Sequence, residues 1–250
     1  MHEKVTIFSN TIQKIKFFSR SKTQGEELNM VERYVQHVIN TNRRTKTNLA
    51  IFYEPQLEFG YPDLVLVEYK DCECMNWNKV REHLDITDLK ILYEIDRMKV
   101  VEVDDFVNIL GYKKKEIINC FKKLEEACLI KVTGERAQRL PLSTYNCVNK
   151  IIAIEAKIDK WDAAIKQAKN SYTFATEVYV LLNKKKCTEA IVERCRNDGL
   201  GIILVNGKVE KILKAAKNPY PVSYTSLLFN EWIQRFIRGE KSYDSRGVKE

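Results

Sequence analysis

The chain has 250 residues, of which 44% are hydrophobic and 30% charged, and it contains nine glycines and five prolines. This composition excludes a disordered or low-complexity protein, and the length allows one domain or two modest domains with buried cores. The longest apolar runs are strand-sized and the N-terminus lacks the apolar core of a secretory signal, so we expect a cytoplasmic protein without a membrane span.

The formal net charge of +8 is unevenly distributed along the chain. Residues 70–147 contain 14 Lys or Arg and 14 Asp or Glu, so the whole positive excess lies in the rest of the sequence. A basic surface favours a polyanionic partner such as nucleic acid.

The cysteines indicate neither a disulfide framework nor a zinc ribbon. There are seven of them, an odd number, and none forms a Cys-x-x-Cys pair. The tightest cluster, Cys72 and Cys74 with His83 nearby, matches no common zinc spacing. We therefore expect reduced, unreactive thiols.

The first third of the chain predicts a helix followed by two strands. Residues 25–42 carry one apolar stripe at helical spacing. Residues 48–53 and 63–69 have strand patterns and are separated by a turn-rich stretch at 55–62. Both alternating faces of the second strand are apolar, which predicts a central strand that is covered on both sides.

The middle of the chain, residues 70–147, has a different pattern. It predicts three helices at 86–98, 103–110 and 114–127, and then two short strands at 129–132 and 140–142 around a charged turn at Gly134. This order resembles a winged helix-turn-helix module. We therefore expect an inserted, mainly helical domain between two parts of a larger one, at 1–69 and 148–250.

The last third returns to alternating strands and helices. Strands are predicted at 150–157, 177–182 and 201–205, and helices at 159–170 and 188–198, with a final amphipathic helix at 225–238. The alternation on both sides of the insert predicts one α/β sheet flanked by helices.

Four features with chemical potential follow one another along these elements. They are Glu27 on the first helix, Pro62-Asp63 opening a strand, Glu155-Ala156-Lys157 closing another strand, and Gln167-Ala168 on the next helix. Their order resembles the PD-(D/E)XK nuclease superfamily, which has a restriction-endonuclease-like fold. The resemblance covers residues 20–69 and 148–206 and leaves the insert out.

A second Glu-x-Lys sequence, Glu68-Tyr69-Lys70, competes with Glu155-Ala156-Lys157. Glu68 lies five residues from Asp63 on the same strand, hence roughly 16 Å away, so those two carboxylates cannot share a metal ion. Glu155 and Lys157 are two residues apart on a separate strand and therefore face the same side. We select the second motif for this reason.

The resemblance implies a Mg²⁺ (or Mn²⁺) site with hard oxygen ligands from Asp63, Glu155, the carbonyl of Ala156 and Glu27. Lys157 is expected to hold or activate the attacking water and to stabilise charge on the phosphate. Gln167 is expected to steady the lysine or a phosphate. The catalytic residues implied are thus Glu27, Asp63, Glu155, Lys157 and Gln167. Glu26 and Glu32 are alternatives to Glu27.

The inserted module predicts a basic recognition helix and a basic wing. The residues expected to contact nucleic acid are Lys113, Lys114, Lys115, Asn119, Lys122, Lys123, Arg136 and Arg139, with Lys160 in the nuclease part. Because the module as a whole is neutral, contact with another protein, or a homodimer, stays open.

Taken together, these patterns predict a divalent-metal-dependent endonuclease that hydrolyses DNA, with a winged helix for DNA or partner recognition. Two alternatives stay open. One is a non-catalytic DNA-binding regulator on a nuclease scaffold, and the other is a nuclease that cleaves RNA.

Overall fold

The computed structural model describes residues 4–8, 15, 17–19, 25–45, 47–71, 76–183 and 187–238. Along the chain, the elements are β1 (Val5–Phe8), α1 (Glu26–Thr45), β2 (Asn48–Tyr53), β3 (Leu64–Tyr69), α2 (Ile86–Met98), β4 (Val100–Glu102), α3 (Val103–Leu110), α4 (Lys114–Glu126), β5 (Ile130–Thr133), β6 (Arg136–Arg139), β7 (Val148–Lys157), α5 (Trp161–Asn170), β8 (Glu177–Asn183), α6 (Glu189–Asn197), β9 (Gly201–Asn206), β10 (Lys208–Leu213) and α7 (Tyr224–Arg238). Short 3-10 turns supplement them at Arg81–His83, Leu142–Thr144 and Ser171–Thr173.

The chain divides into two compact units, each built from three separate segments. The sheet unit comprises Met1–Asn10, Phe17–Lys70 and Val148–Pro221. The helical unit comprises Thr11–Lys16, Asp71–Cys147 and Val222–Glu250.

The sheet unit contains a mixed seven-stranded sheet flanked by helices, which confirms the predicted α/β class. The strand order is β1-β2-β3-β7-β8-β9-β10. Strands β7, β8 and β9 run parallel, whereas β3 is antiparallel to β7. The beginning of β3 therefore lies beside the end of β7, and the register pairs Leu64 with Ile154. This pairing brings the residues that flank those two strand ends together.

The core explains why the central strands are apolar on both faces. In β3 and β7 the residues at 64–67 and 151–154 are all buried, because alternate side chains point to opposite covered faces. Helix α1 packs its apolar stripe on one face of the sheet. The buried residues of that stripe are Met30, Val31, Tyr34 and Val35. The start of α1 is thereby fixed above the ends of the central strands.

In its described residues, the helical unit combines four helices, α2, α3, α4 and α7, with a small sheet. Helices α2, α3 and α4 are followed by the β5–β6 hairpin, and β4 joins it to give the order β4-β6-β5. The second hairpin strand was predicted at 140–142, but it lies at Arg136–Arg139. The reason is a tight turn at Gly134, whose φ of 63° lets Thr133 pair directly with Arg136.

Helix α7 differs from its prediction in both burial and location. It was predicted to be amphipathic and part of the 148–250 nuclease segment, whereas its residues group with the helical unit. Residues 225–235 are buried without interruption. Its polar side chains have partners in the same unit: Arg81 donates from Nε to Glu231 at 3.1 Å, and Gln234 donates to the carbonyl of Tyr145 at 2.7 Å. These bonds allow a helix with charged residues to be buried on all sides.

Two further expectations concern the membrane and the thiols. No helix in the described part of the chain has both the length and the apolar character needed to cross a membrane. Cys72 and Cys74 lie outside the described residues. Burial raises the pKa of Cys120 and Cys195 to about 12, so these two thiols stay protonated and unreactive at neutral pH.

Candidate functional site

The sheet unit contains a pocket of about 410 Å³ between the start of α1, the β2–β3 turn, the end of β7 and α5. The residues lining it are Gly25, Glu26, Glu27, Leu28, Val31, Tyr53, Glu54, Tyr61, Asp63, Glu155, Lys157, Ile158 and Gln167. The five side chains selected from the sequence as catalytic are among them. They come from four segments of the chain that are far apart in sequence.

Asp63 and Glu155 are brought together by the β3–β7 pairing. Asp63 directly precedes β3, and its Oδ2 accepts a hydrogen bond of 2.7 Å from the backbone N–H of Ala156. The neighbouring Glu155 is buried, with 6% of its side chain exposed, whereas 23% of Asp63 is exposed. The predicted motif is therefore assembled across two adjacent strands, although the whole of residues 70–147 lies between those strands in the sequence.

Lys157 lies among three carboxylates. Its Nζ is 3.4 Å from Oε2 of Glu27, 3.5 Å from Oε1 of Glu155 and 3.8 Å from Oδ2 of Asp63. It also donates to the carbonyl oxygen of Ala156 at 2.9 Å. A single ammonium group thus lies against three acidic side chains and compensates their charge only in part.

Glu27 reaches the site from the first turn of α1. Besides the contact with Lys157, its Oε1 accepts from the backbone N–H of Ile158 at 3.4 Å. Of the two alternatives to Glu27, Glu26 also lines the pocket, whereas Glu32 lines a different groove on α1. The helix start therefore contributes one carboxylate directly to the cluster and a second one at the pocket wall.

The electrostatics of the cluster follow from burial and crowding. Burial, together with the charge of Asp63, raises the pKa of Glu155 to about 8, against the opposing effect of Lys157. Burial also raises the pKa of Asp63, although the Ala156 N–H and Lys157 counteract it. For Lys157, burial lowers the pKa, but the charges of Asp63, Glu155 and Glu27 outweigh burial and raise it overall. Lys157 therefore stays protonated at neutral pH.

The pocket contains residues that the sequence patterns did not single out. Glu54 follows β2 and its backbone N–H donates to the carbonyl of Asp63 at 3.1 Å, so the hairpin places these two residues opposite each other. Tyr61 lies two residues before Asp63 and also lines the pocket. The hairpin register could have identified Glu54. Tyr53 pairs with Leu64, so the next residues towards the turn, Glu54 and Asp63, lie opposite each other. Gln167, which was predicted, is exposed on α5 at the pocket wall.

The donor set bears on the metal that the resemblance implies. Within the described residues, no three His, Cys, Asp or Glu side chains are grouped in a way that could hold a metal ion. The pocket nevertheless offers hard oxygen donors from Asp63, Glu155 and the carbonyl of Ala156. This is the kind of donor set suited to Mg²⁺, which uses one or two carboxylates and completes its shell with water and phosphate oxygens.

The basic residues predicted to contact nucleic acid fall into two groups. The first is held by acids of the helical unit: Lys114 lies 2.8 Å from Glu135, Lys123 lies 3.1 Å from Asp88, and Arg139 lies 2.7 Å from Asp96. The second group is exposed. It comprises Lys113, Lys115, Asn119, Lys122 and Arg136 in the helical unit and Lys160 in the sheet unit.

Three of the exposed residues share one face of a helix. Lys115, Asn119 and Lys122 are spaced four and three positions apart on α4, so their side chains project in the same direction. Lys114, Lys123 and Arg139, by contrast, already have acidic partners.

Comparison with known proteins adds no relative from which an activity could be transferred. No family model, no curated protein and no solved structure matches this chain. The functional proposal therefore depends on the pocket and the surfaces described above.

Proposed function

We propose that this chain is a divalent-metal-dependent nuclease of the PD-(D/E)XK type, which hydrolyses phosphodiester bonds of DNA. One observation carries the proposal. The Nζ of Lys157 lies within 3.8 Å of carboxylate oxygens of Asp63, Glu155 and Glu27 in a single pocket. These are the positions that the sequence motif selects, and they come from three distant segments.

The topology of the sheet unit supports a restriction-endonuclease-like fold. A helix precedes an antiparallel hairpin, β7 follows beside that hairpin, and a helix leads to the parallel strand β8. The resemblance implies this order of helix, hairpin, strand, helix and strand. Asp63 directly precedes β3 and Glu155 lies in β7, and the pairing of these two strands brings both carboxylates together.

Asp63, Glu155 and the carbonyl of Ala156 are the groups that would hold Mg²⁺ or Mn²⁺. When bound, the ion would supply a lowered pKa for a water molecule and would neutralise charge on the phosphate. The N–H of Ala156 fixes the Asp63 carboxylate at 2.7 Å. The backbone of the motif therefore orients a side chain that comes from the neighbouring strand.

Lys157 is a cation in this reaction. The charges of Asp63, Glu155 and Glu27 raise its pKa, which favours a role as a hydrogen-bond donor. Its ammonium group can hold the attacking water and stabilise the negative charge that develops on the phosphate oxygens as the new oxygen–phosphorus bond forms. Glu27, at 3.4 Å from Nζ, positions Lys157 for this role.

The helical unit is proposed to be a winged helix that contacts DNA. Helices α2, α3 and α4, together with the three-stranded sheet in the order β4-β6-β5, support this fold. The face of α4 formed by Lys115, Asn119 and Lys122 is exposed and carries groups that bind phosphates and base edges. Arg136 at the start of β6 is the exposed basic residue of the proposed wing.

A cleavage assay tests the nuclease proposal. Wild-type protein, Glu155→Gln and Lys157→Ala are incubated with plasmid DNA, single-stranded DNA and RNA, with and without Mg²⁺ or Mn²⁺. We expect DNA cleavage that needs the metal, no cleavage by Glu155→Gln, and a loss on the order of a hundredfold or more for Lys157→Ala. The substrate series separates DNA from RNA cleavage.

Glu68→Gln is the matched control. Glu68 is the glutamate of the competing Glu-x-Lys sequence and pairs with Lys150 at 3.8 Å, away from the pocket. The variant should cleave like the wild type. Wild-type protein that binds DNA but cuts nothing with either metal would favour the non-catalytic regulator instead.

A further inference from the structure

The turn between β2 and β3 is held in one conformation beside the pocket. Leu57 and Gly60 bond to each other through both backbone amides, at 3.0 and 3.3 Å, and Gly60 has a φ of 124°. The N–H of Gln56 donates to the carbonyl of Phe18 at 2.8 Å. Side chains on this turn are therefore presented by a rigid backbone.

This turn exposes aromatic rings. Phe59 is 59% exposed and Tyr61 is 44% exposed, and Phe18, whose backbone is bonded to the turn, is 46% exposed. Single exposed apolar residues are common, but a group of them on one rigid turn marks a binding surface. Tyr61 lines the pocket of Asp63 and Glu155, so one of these three rings borders the candidate site directly.

The charge of the turn restricts what it can bind. Residues 54–62 contain two glutamates and no lysine or arginine. Such a segment repels phosphate groups and does not follow a nucleic-acid backbone. Its aromatic rings can instead stack on the faces of bases.

We propose that Phe59 and Tyr61, with Phe18 beside them, are a stacking platform for unpaired bases next to the bond that is cut. The proposal rests on the nuclease function and names its substrate class, which is single-stranded nucleic acid or a duplex with frayed or unpaired nucleotides. Bases inside an intact duplex are already stacked on one another, so only unpaired bases can occupy the rings. The exposed rings thus select bases that are free to leave the helix.

Binding measurements without divalent metal test the platform, because no strand is cut under those conditions. Fluorescence anisotropy compares a labelled single strand with a blunt duplex of the same sequence. We expect Phe59→Ala and Tyr61→Ala each to weaken single-strand binding about tenfold, equivalent to about 1.4 kcal/mol, and to leave duplex binding unchanged. Tyr61→Phe keeps the ring and should bind like the wild type.

Ile212→Ala is the matched control, because Ile212 is an apolar residue of the sheet unit that is equally exposed, at 44%, but does not line the pocket. It should not change binding. A strand with 2-aminopurine near its centre should lose fluorescence on binding to the wild type, and this quenching should disappear with Tyr61→Ala.

The outcomes separate this proposal from the nuclease function. If the wild type cuts nucleic acid but Phe59→Ala and Tyr61→Ala bind single strands as tightly as it does, the platform proposal is wrong and the nuclease proposal stands. If the protein neither binds nor cuts any nucleic acid, the nuclease proposal is wrong, and the platform proposal, which rests on it, is wrong as well.

Discussion

Glu155 is the carboxylate whose ionisation should control metal binding. Burial and the charge of Asp63 raise its pKa to about 8. A metal ion binds only the ionised carboxylate, so it must displace a proton whenever the pH lies below that pKa. We therefore expect the affinity for Mn²⁺ or Mg²⁺ to be weak in acid and to increase as the pH rises towards 8.

The size of the effect follows from the fraction of ionised carboxylate. With a pKa of about 8, roughly 1% of Glu155 is ionised at pH 6 and about half at pH 8. The association constant for the metal should therefore rise about fiftyfold over this interval and level off above it. At pH 7, each bound ion should release about one proton.

Titration calorimetry with Mn²⁺ measures both quantities, because two buffers of different ionisation enthalpy reveal the released proton. Glu155→Gln should bind Mn²⁺ weakly and release no proton, whereas Glu68→Gln should behave like the wild type. An affinity that stays constant between pH 6 and 8, with no proton released by the wild type, would refute the assignment of Glu155 as a ligand.

Three further predictions concern stability and DNA binding. Without metal, the wild type should lose stability as the pH rises from about 4.5 to about 8, by up to about 1.4 kcal/mol per pH unit. The reason is that Glu155 keeps its proton to a higher pH in the folded state than in the unfolded state. In urea unfolding, Glu155→Gln should show a smaller loss of stability over the same pH range. Lys115→Ala should lower the slope of log affinity for DNA against log salt by about 1, and Lys114→Ala, whose ammonium already has acidic partners, by much less. Arg81→Ala should destabilise the helical unit by about 3–5 kcal/mol, because it leaves a buried glutamate with only the more distant of its two arginines, Arg235, whereas the exposed Arg97→Ala should leave stability nearly unchanged in the same unfolding assay.

The central strands could be predicted from the sequence and the edge strands could not. Strands β3 and β7 have continuous apolar runs because both of their faces are covered. The edge strands β1 and β10 lack that signal: β1 has four residues, and β10 is half-buried or exposed throughout. Their conformation is fixed by pairing with β2 and β9. The residues of β1 and β10 alone therefore do not predict that they form strands.

The sequence could predict the part of the candidate site that depends on side chains alternating between the two faces of one strand. Glu155 and Lys157 share a face of β7, and the pairing of β3 with β7 brings Asp63 to them. Glu54 could not be selected in this way, because its position depends on how β2 and β3 pair across the connection at 54–63. Residue type alone does not distinguish such a glutamate from one that faces solvent.

The same ambiguity explains helix α7, whose polar residues suggested a solvent-facing side. Six of them are nevertheless buried, namely Thr225, Ser226, Asn230, Glu231, Gln234 and Arg235. Glu231 is buried with two arginines nearby, so its charge is balanced inside the protein. A carboxylate that is neutralised in this way serves the stability of the fold.

The carboxylates in the pocket of the sheet unit lack this balance of charge. We take this difference to distinguish the carboxylates of the candidate site from those that stabilise the fold. Among the described residues that line it, the carboxylates of Glu27, Asp63 and Glu155 surround one ammonium group, that of Lys157. Buried carboxylates in excess of their cations destabilise the folded protein unless they keep protons or acquire a further cation. A divalent ion would remove that destabilisation, and this difference between the two buried clusters is why the pocket is proposed as the reactive one.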